Sequence, residues 1–267
     1  MPGSDRSVYV LPRRMWRAGL GALGIRRDAL AVRRRFAAAL TGHGVELGAG
    51  HSPFPVPNGV VVRYVDRWEP EENRALFPEL ADGLGFLRPD IVSDLDAERL
   101  SAIPDGSEDF VIASHILEHL ANPLKMLAEI HRVLRDGGLF VLVLPDRHTT
   151  FDAERPPTTV EHLYDEFQRD VREVPDDHVA EAIVAQVRYN GDRRHPGALR
   201  AELTALEVET HRRRSIHAHV WDMDEFGQVL RFAEDELGVG WTVVDTMSPG
   251  ARGSHANEFG WLLSRRG

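Results

Sequence analysis

The sequence predicts a doubly wound α/β protein: a mostly parallel, seven-stranded sheet closed by an antiparallel terminal hairpin. Three observations predict it. Short, nearly continuous apolar runs alternate with helical periodicity through the middle of the chain. Acids and glycines gather directly behind those runs, where an open α/β sheet holds its ligands. The last two apolar runs, 241–247 and 258–264, are joined by a glycine-rich loop at 250–253 and read as an antiparallel pair.

Taken in order, Gly44-Val45-Glu46-Leu47 reads as a buried strand running into the turn Gly48 to Pro53. Val60 to Val65 is a second strand ending at Asp66, and Asp90 to Ser93 a weak third ending at Asp94. Phe110 to Ser114 and Leu139 to Leu144 are the fourth and fifth. Such runs suit strands covered on both faces. Between the last two lies a helix, with Pro123 near its start and Leu124, Leu127, Ile130, Val133 and Leu134 at helical spacing. The pair Gly137-Gly138 supplies a left-handed stop for it. Residues from about 151 to 216 are polar and rich in histidine; 160–172 and 179–188 read as helices of an insertion that caps the sheet edge. A helix over 222–237 leads into the terminal hairpin. The expected segments are an N-terminal helical arm (1–42), a core (43–150), a helical insertion or lid (151–216) and a C-terminal completion of the core (217–267).

With 267 residues, the core needs no metal or disulfide to hold it together, and the absence of cysteine excludes thiolate metal sites and cysteine nucleophiles. A net charge of −10 argues against a nucleic-acid partner. No apolar run reaches the roughly 18 residues of a membrane span. The N-terminus shows no apolar stretch followed by a small-residue cleavage site, so the cytoplasm is expected. Lys125 is the sole lysine, a usage that suggests a GC-rich bacterial genome. Between Arg13 and Arg35 stand eight arginines and one acid, Asp28. These read either as a basic amphipathic helix for a surface or as short helices packed beside the core with a solvated arginine face.

Candidate ligand-binding residues follow from the strand ends. Glu46 precedes Gly48 and Gly50, which let the backbone turn tightly and approach a ligand. Asp66 falls 20 residues after Glu46, where a ribose-binding acid is expected behind a glycine turn. Asp94 or Asp96 offers a carboxylate to an amino group, and Ser114-His115 opens the cleft after the fourth strand, with Glu118 and His119 on the next helix. A nicotinamide dehydrogenase is the competing reading. Its G-x-G-x-x-G signature fails at Pro53, where the third glycine belongs.

The pieces VELGAG (45–50), the strand ending at Asp66, DLDAERLSAIPDGSEDFVIASHILEHL (94–120) and RVLRDGGLFVLVLP (132–145) together resemble the class I S-adenosylmethionine (SAM)-dependent methyltransferases, in their small-molecule branch. Ser52 stands where many relatives carry a further glycine. The resemblance implies a Rossmann-like fold and SAM as cofactor. Gly48 and Gly50 would line its methionine part and Asp66 would bind the ribose. Asp94 with Leu95, or Asp96 with Ala97, would hold the adenine, and Ser114 and His115 would flank the sulfonium. It implies a small-molecule methyl acceptor, a hydroxyl or an amine.

A hydroxyl acceptor gains from a general base, most often histidine. The chain offers 13 histidines. His115, His119 and His148 lie near the cleft, the last beside Asp146 at the end of the fifth strand, and His148 with Asp146 is the first candidate. His217 and His219 are the second, since alternate residues of an extended segment face one way. Asp146, His148, Asp152, His162 and Asp165 are also possible metal ligands, without a diagnostic spacing.

Overall fold

The computed structural model describes residues 30–78, 85–190 and 204–267. The arginines from Arg13 to Arg27 lie outside them. Helix α1 (Ala31–Ala37) is followed by β1 (His43–Leu47), β2 (Val61–Asp66), α2 (Pro70–Leu76), β3 (Ile91–Val92) and β4 (Glu108–Ser114). Then come α3 (Pro123–Val133), β5 (Leu134–Pro145), α4 (Val160–Arg169), α5 (Asp176–Asn190), α6 (Ala205–Arg213), α7 (Met223–Leu237), β6 (Trp241–Met247) and β7 (Glu258–Arg265). The seven strands form one sheet in the order β3-β2-β1-β4-β5-β7-β6. All neighbouring pairs are parallel except those of β7, which runs antiparallel to both β5 and β6.

The apolar runs are buried because both faces of the sheet are covered. On one face α3 and α7 pack Leu124, Leu127, Ile130, Phe226 and Val229 against Val45, Val111 and Leu142. On the other, α1 places Val32 and Phe36 against Phe54, Phe110, Ile112 and Val141. Each CH₂ so buried contributes about 0.8 kcal/mol. The described part of the arm, α1, is therefore a packed helix, and Arg33, expected on a solvated face, is buried with it.

Two local expectations are corrected and a third is extended. Helix α3 ends at Val133, and Leu134 is already extended. The left-handed Gly137 (φ +73°) sits inside the β5 segment and turns its entry rather than capping the helix. Glu118 and His119 lie on a separate 3₁₀ turn, Leu117–His119, because Leu120 is extended and Asn122 opens α3 by accepting from the Lys125 amide. The insertion does more than reach the sheet edge, where Asp170 pairs with Arg99 and Arg172 donates to the Ala97 carbonyl just after β3. Helix α4, stopped at Asp170 in a left-handed conformation (φ 53°), packs on α3 and α7 beside the carboxyl ends of the central strands. Helices α2 and α6 were not expected from the sequence; both are short, and α6 buries none of its side chains.

Candidate active site

The strand order reverses between β1 and β4, so the crevice at their carboxyl ends is where such a sheet takes a ligand. One wall is the glycine turn. Gly48 adopts φ +61° and donates its amide to the Val65 carbonyl (2.7 Å). A Cβ there would lie 2.1 Å from Ile116 Cδ1. Glycine is thus demanded by packing as well as by backbone, not by ligand approach alone. At Gly50 (φ +54°) a Cβ would meet nothing nearer than the Gly48 carbonyl at 3.9 Å, so that face of the turn is open.

Asp66 ends β2 beside this turn. Burial raises its pKa, and hydrogen bonds from the amides of Trp68, Arg67 and Gly50 and from the Asn73 side chain oppose the rise. The structure therefore brings Gly50 and Asp66 together, although they are far apart in sequence. Glu46 has another place. It is buried, both its oxygens accept from the Phe54 amide (2.9 and 3.1 Å), and burial pushes its pKa up to about 7. It fastens the 51–54 loop from within.

After β3, Asp94 accepts from the amides of Asp96 (3.0 Å) and Ala97 (3.4 Å) and pairs with Arg67 (2.9 Å). Asp96 accepts from the Ala121 amide (2.8 Å), and burial pushes it up to about 7. Leu95 packs against the core between them. This acidic turn, tied to its own backbone and to the start of α3, forms the second wall.

Ser114 ends β4, and His115 follows in the left-handed region (φ +57°), a strained conformation of the kind that gathers at functional sites. Its Nε2 contacts Glu258 (3.2 Å) and its Nδ1 contacts Glu118 (3.3 Å). Burial works against the charged ring, but the two carboxylates outweigh it and raise the pKa to about 9. Glu258 also takes a 2.6 Å bond from Arg33; despite burial, His115 and Arg33 bring its pKa down to about 2. The N-terminal helix thus supports the crevice through Arg33.

Beyond His115 stands a histidine cluster. His119 donates Nδ1–H to the Ile216 carbonyl (2.8 Å), and its ring lies edge-on to His217 at 5.0 Å. His217 donates Nδ1–H to Asp152 (2.7 Å), which Arg155 holds from its other oxygen (2.9 Å). Phe151 stacks on the His217 ring at 4.7 Å and also lines a cleft of about 550 Å³ between the 148–156 loop and α5. One ligand atom from each of Glu118, His119 and His217 falls within 4.8 Å of the others.

The sequence candidates for the base part company here. His217 and His219 were expected to face one way; His217 joins Asp152, whereas His219 is fully buried among His162, His178 and Trp221. Burial pushes its pKa well down. Asp146 is buried, forms a bridge with Trp221 and accepts from the backbone amide of His148, not from its ring. The His148 ring points to Asp222 (3.1 Å) and is 52 % exposed. Sequence reading gave Glu258 and Arg33 no place at the site, named Glu118 only as a residue beside the cleft and Asp152 only as a possible metal ligand. A signal existed for one: Asp152 and Arg155 share the i, i+3 spacing of an ion pair.

Residues 63–142 match a family model described as a methyltransferase domain. Over this stretch the chain is similar to SAM-dependent methyltransferases. It is 36% identical over 74 residues to an S-adenosyl-L-methionine-dependent Diels-Alderase of Talaromyces variabilis, covering 27% of this chain and 25% of the relative. It is 40% identical over 47 residues to a probable S-adenosylmethionine-dependent methyltransferase of Mycolicibacterium smegmatis, covering 18% of each. The chain thus spans about a quarter or less of the curated relatives it matches. A solved structure of a SAM-dependent methyltransferase from Methanosarcina mazei aligns over 90% of this chain and 98% of that one, at 15% identity and a TM-score of 0.45. SAM is the cofactor these similarities imply, and the crevice fits it: the open face of Gly50 adjoins a carboxylate, Asp66, that can accept from ribose hydroxyls. No helix among the described residues is long and apolar enough to cross a membrane.

Proposed function

We propose that the chain transfers the methyl group of SAM to a hydroxyl or amine of a small molecule, with His217 as the base. When bound, SAM would supply an activated methyl carbon to the acceptor oxygen or nitrogen, with the S–C electron pair staying on sulfur. Gly48 and Gly50 line the methionine part, Asp66 holds the ribose, and the 94–97 turn faces the adenine. His115, kept cationic between Glu118 and Glu258, orders the wall next to the methyl. His217 takes the acceptor proton on Nε2, while Asp152 fixes its tautomer and orientation through Nδ1. The cleft beside Phe151 admits the acceptor.

The observation that carries this reading is the His217–Asp152 pair, at the same end of the sheet as the glycine turn. It is tested with a panel of sugars, phenols and amines, following S-adenosylhomocysteine formation. With the acceptor found, His217→Ala lowers turnover by roughly 10²–10⁴-fold, and SAM affinity by calorimetry stays constant. Full turnover in that variant would remove the base from His217. A second reading is favoured by the match to the Diels-Alderase: SAM bound as a cofactor for a cyclisation, without methyl transfer. SAM binding with no S-adenosylhomocysteine on any acceptor would select it.

A further inference from the structure

Glu166 is the least explained side chain of the molecule. It is fully buried, and neither carboxylate oxygen has a hydrogen-bond partner. Leaving such a group unpaired is expensive, several kcal/mol for a charge even after relaxation. Three imidazoles converge on it. His162, one turn earlier on α4, puts Nε2 3.2 Å from Oε1. His178, on α5, puts Nδ1 3.6 Å from the same oxygen. His219, from the extended segment before α7, puts Nε2 3.5 Å from Oε2. The three nitrogens also lack hydrogen-bond partners. Their rings stand 4.9, 5.2 and 5.8 Å apart, centre to centre.

We infer that His162, Glu166 and His178 bind a divalent transition-metal ion. One ligand atom from each lies within 4.8 Å of the others, and His219 flanks the set on the second carboxylate oxygen. The spacing supports it. Ligand atoms at about 2.0–2.1 Å from a tetrahedral ion lie about 3.3–3.4 Å from one another, and Glu166 Oε1 lies 3.2 Å from His162 and 3.6 Å from His178. Packing alone gives no reason for three imidazole nitrogens to face one buried carboxylate, and a cation would satisfy Glu166 together with the two imidazoles on its Oε1. Two nitrogens and one oxygen, with no thiolate, suit zinc or a neighbouring first-row metal; magnesium prefers an oxygen shell. An ion held here ties α4 to α5 within the insertion, beside the segment that carries His219. The Glu118–His119–His217 set is the weaker candidate, because Glu118 pairs with His115 and His217 with Asp152.

The test uses untagged full-length protein, stripped with a chelator and dialysed. Elemental analysis after reloading with zinc is expected to give one equivalent per chain, and cobalt(II) a visible ligand-field spectrum of tetrahedral type. His162→Ala, the variant at the most exposed ligand, and Glu166→Gln should each weaken metal binding by more than the ~10–100-fold that loss of an outer-shell partner costs. Circular dichroism establishes that they fold; His148→Ala should load like wild type. Failure of the stripped wild type to take up zinc or cobalt overturns the inference. So does loading that survives His162→Ala and Glu166→Gln but is lost in His217→Ala, which would put the ion at Glu118. Because the readout is the metal itself, these outcomes are independent of whether methyl transfer is the reaction.

Discussion

The Gly48–Asp66 wall and the histidine wall lie at the same end of one sheet, yet they are built differently. On the first, backbone does the work: two left-handed glycines, a strand-end carboxylate and amides that converge on it. Its parts come from adjacent parallel strands in register, so their placement follows from the sheet. On the second, side chains do the work. His115 with Glu118, Asp152, His217 and Glu258 come from four separate segments, and strand pairing across β5 accounts only for the meeting of His115 and Glu258. The first wall is rigid by topology; the second depends on how the insertion docks. Damage should therefore be abrupt on the first and graded on the second.

Gly48→Val gives the largest expected effect. The variant places a branched side chain at φ +61° and drives its Cβ into Ile116. Strain of about 1–3 kcal/mol adds to overpacking of similar size, and SAM binding by calorimetry should vanish with a lowered melting temperature. Ile116→Ala in the same chain should recover part of the stability and little of the binding. Gly50→Ala should melt closer to wild type, because its added methyl meets open space. Equal damage from both glycine variants would show that the turn is not graded in this way.

This contrast also explains what the sequence disclosed. The strands were legible because burial on both faces demands unbroken apolar runs, as in Phe110 to Ala113 and Phe140 to Leu144. The glycines and Asp66 were legible because a sheet of this kind places its ligand at strand ends. The short helices α2 and α6 were not, since α6 has no buried face to leave a periodic stripe. The partners of the histidines were hidden for a different reason. Asp152 and His217, or Glu166 and His219, are separated by more than fifty residues, and local pattern carries no information about pairs made by tertiary docking. Alternate spacing put His217 and His219 on one face; the docked chain sends them to different clusters.

Asp66→Ala comes next in size. Loss of hydrogen bonds to a charged group should cost about 1.5–3 kcal/mol of SAM affinity, less than Gly48→Val. The amides of Gly50 and Trp68 lose their acceptor as well, so a modest fall in melting temperature is expected. Unchanged affinity would move the ribose off β2 and break the comparison at its first wall.

The histidine wall carries its own pH signature. His115 has a folded pKa of about 9, above its ordinary 6.5. The charged ring thus adds stability that is fully present below 6.5 and is lost as pH rises through 9. Glu118 and Glu258 face the ring, with Arg33 behind Glu258. Solvent reaches part of His115, which reduces the size of the effect but not its sign. Melting temperature should fall between pH 7 and 9.5 in the wild type and stay flatter in His115→Asn, whose asparagine tolerates the left-handed backbone. Parallel curves for the two proteins would mean that the carboxylates do not hold the ring charged.

The smallest effect is expected at His148, and it sharpens the comparison most. By sequence this residue stood at the end of the fifth strand beside Asp146, the obvious place for a base. In the structure its ring turns outward to Asp222, the residue that caps α7 by accepting from the Glu225 amide (2.9 Å). An exposed pair of this kind contributes about 0–1 kcal/mol, and α7 keeps its cap without it. His148 also lines the cleft proposed for the acceptor, so any effect of His148→Ala should show in the acceptor KM. The variant should change kcat by no more than about twofold to threefold, the scale of a ~0.5 kcal/mol surface substitution. Melting temperature should hardly move. Combined with His217→Ala, it should add nothing to the loss that His217→Ala causes alone. A roughly hundredfold drop in His148→Ala, with SAM affinity retained, would place the base on the loop after β5. The division between a backbone wall and an insertion-docked histidine wall would then fail, because a residue set by the sheet itself would be moving the proton.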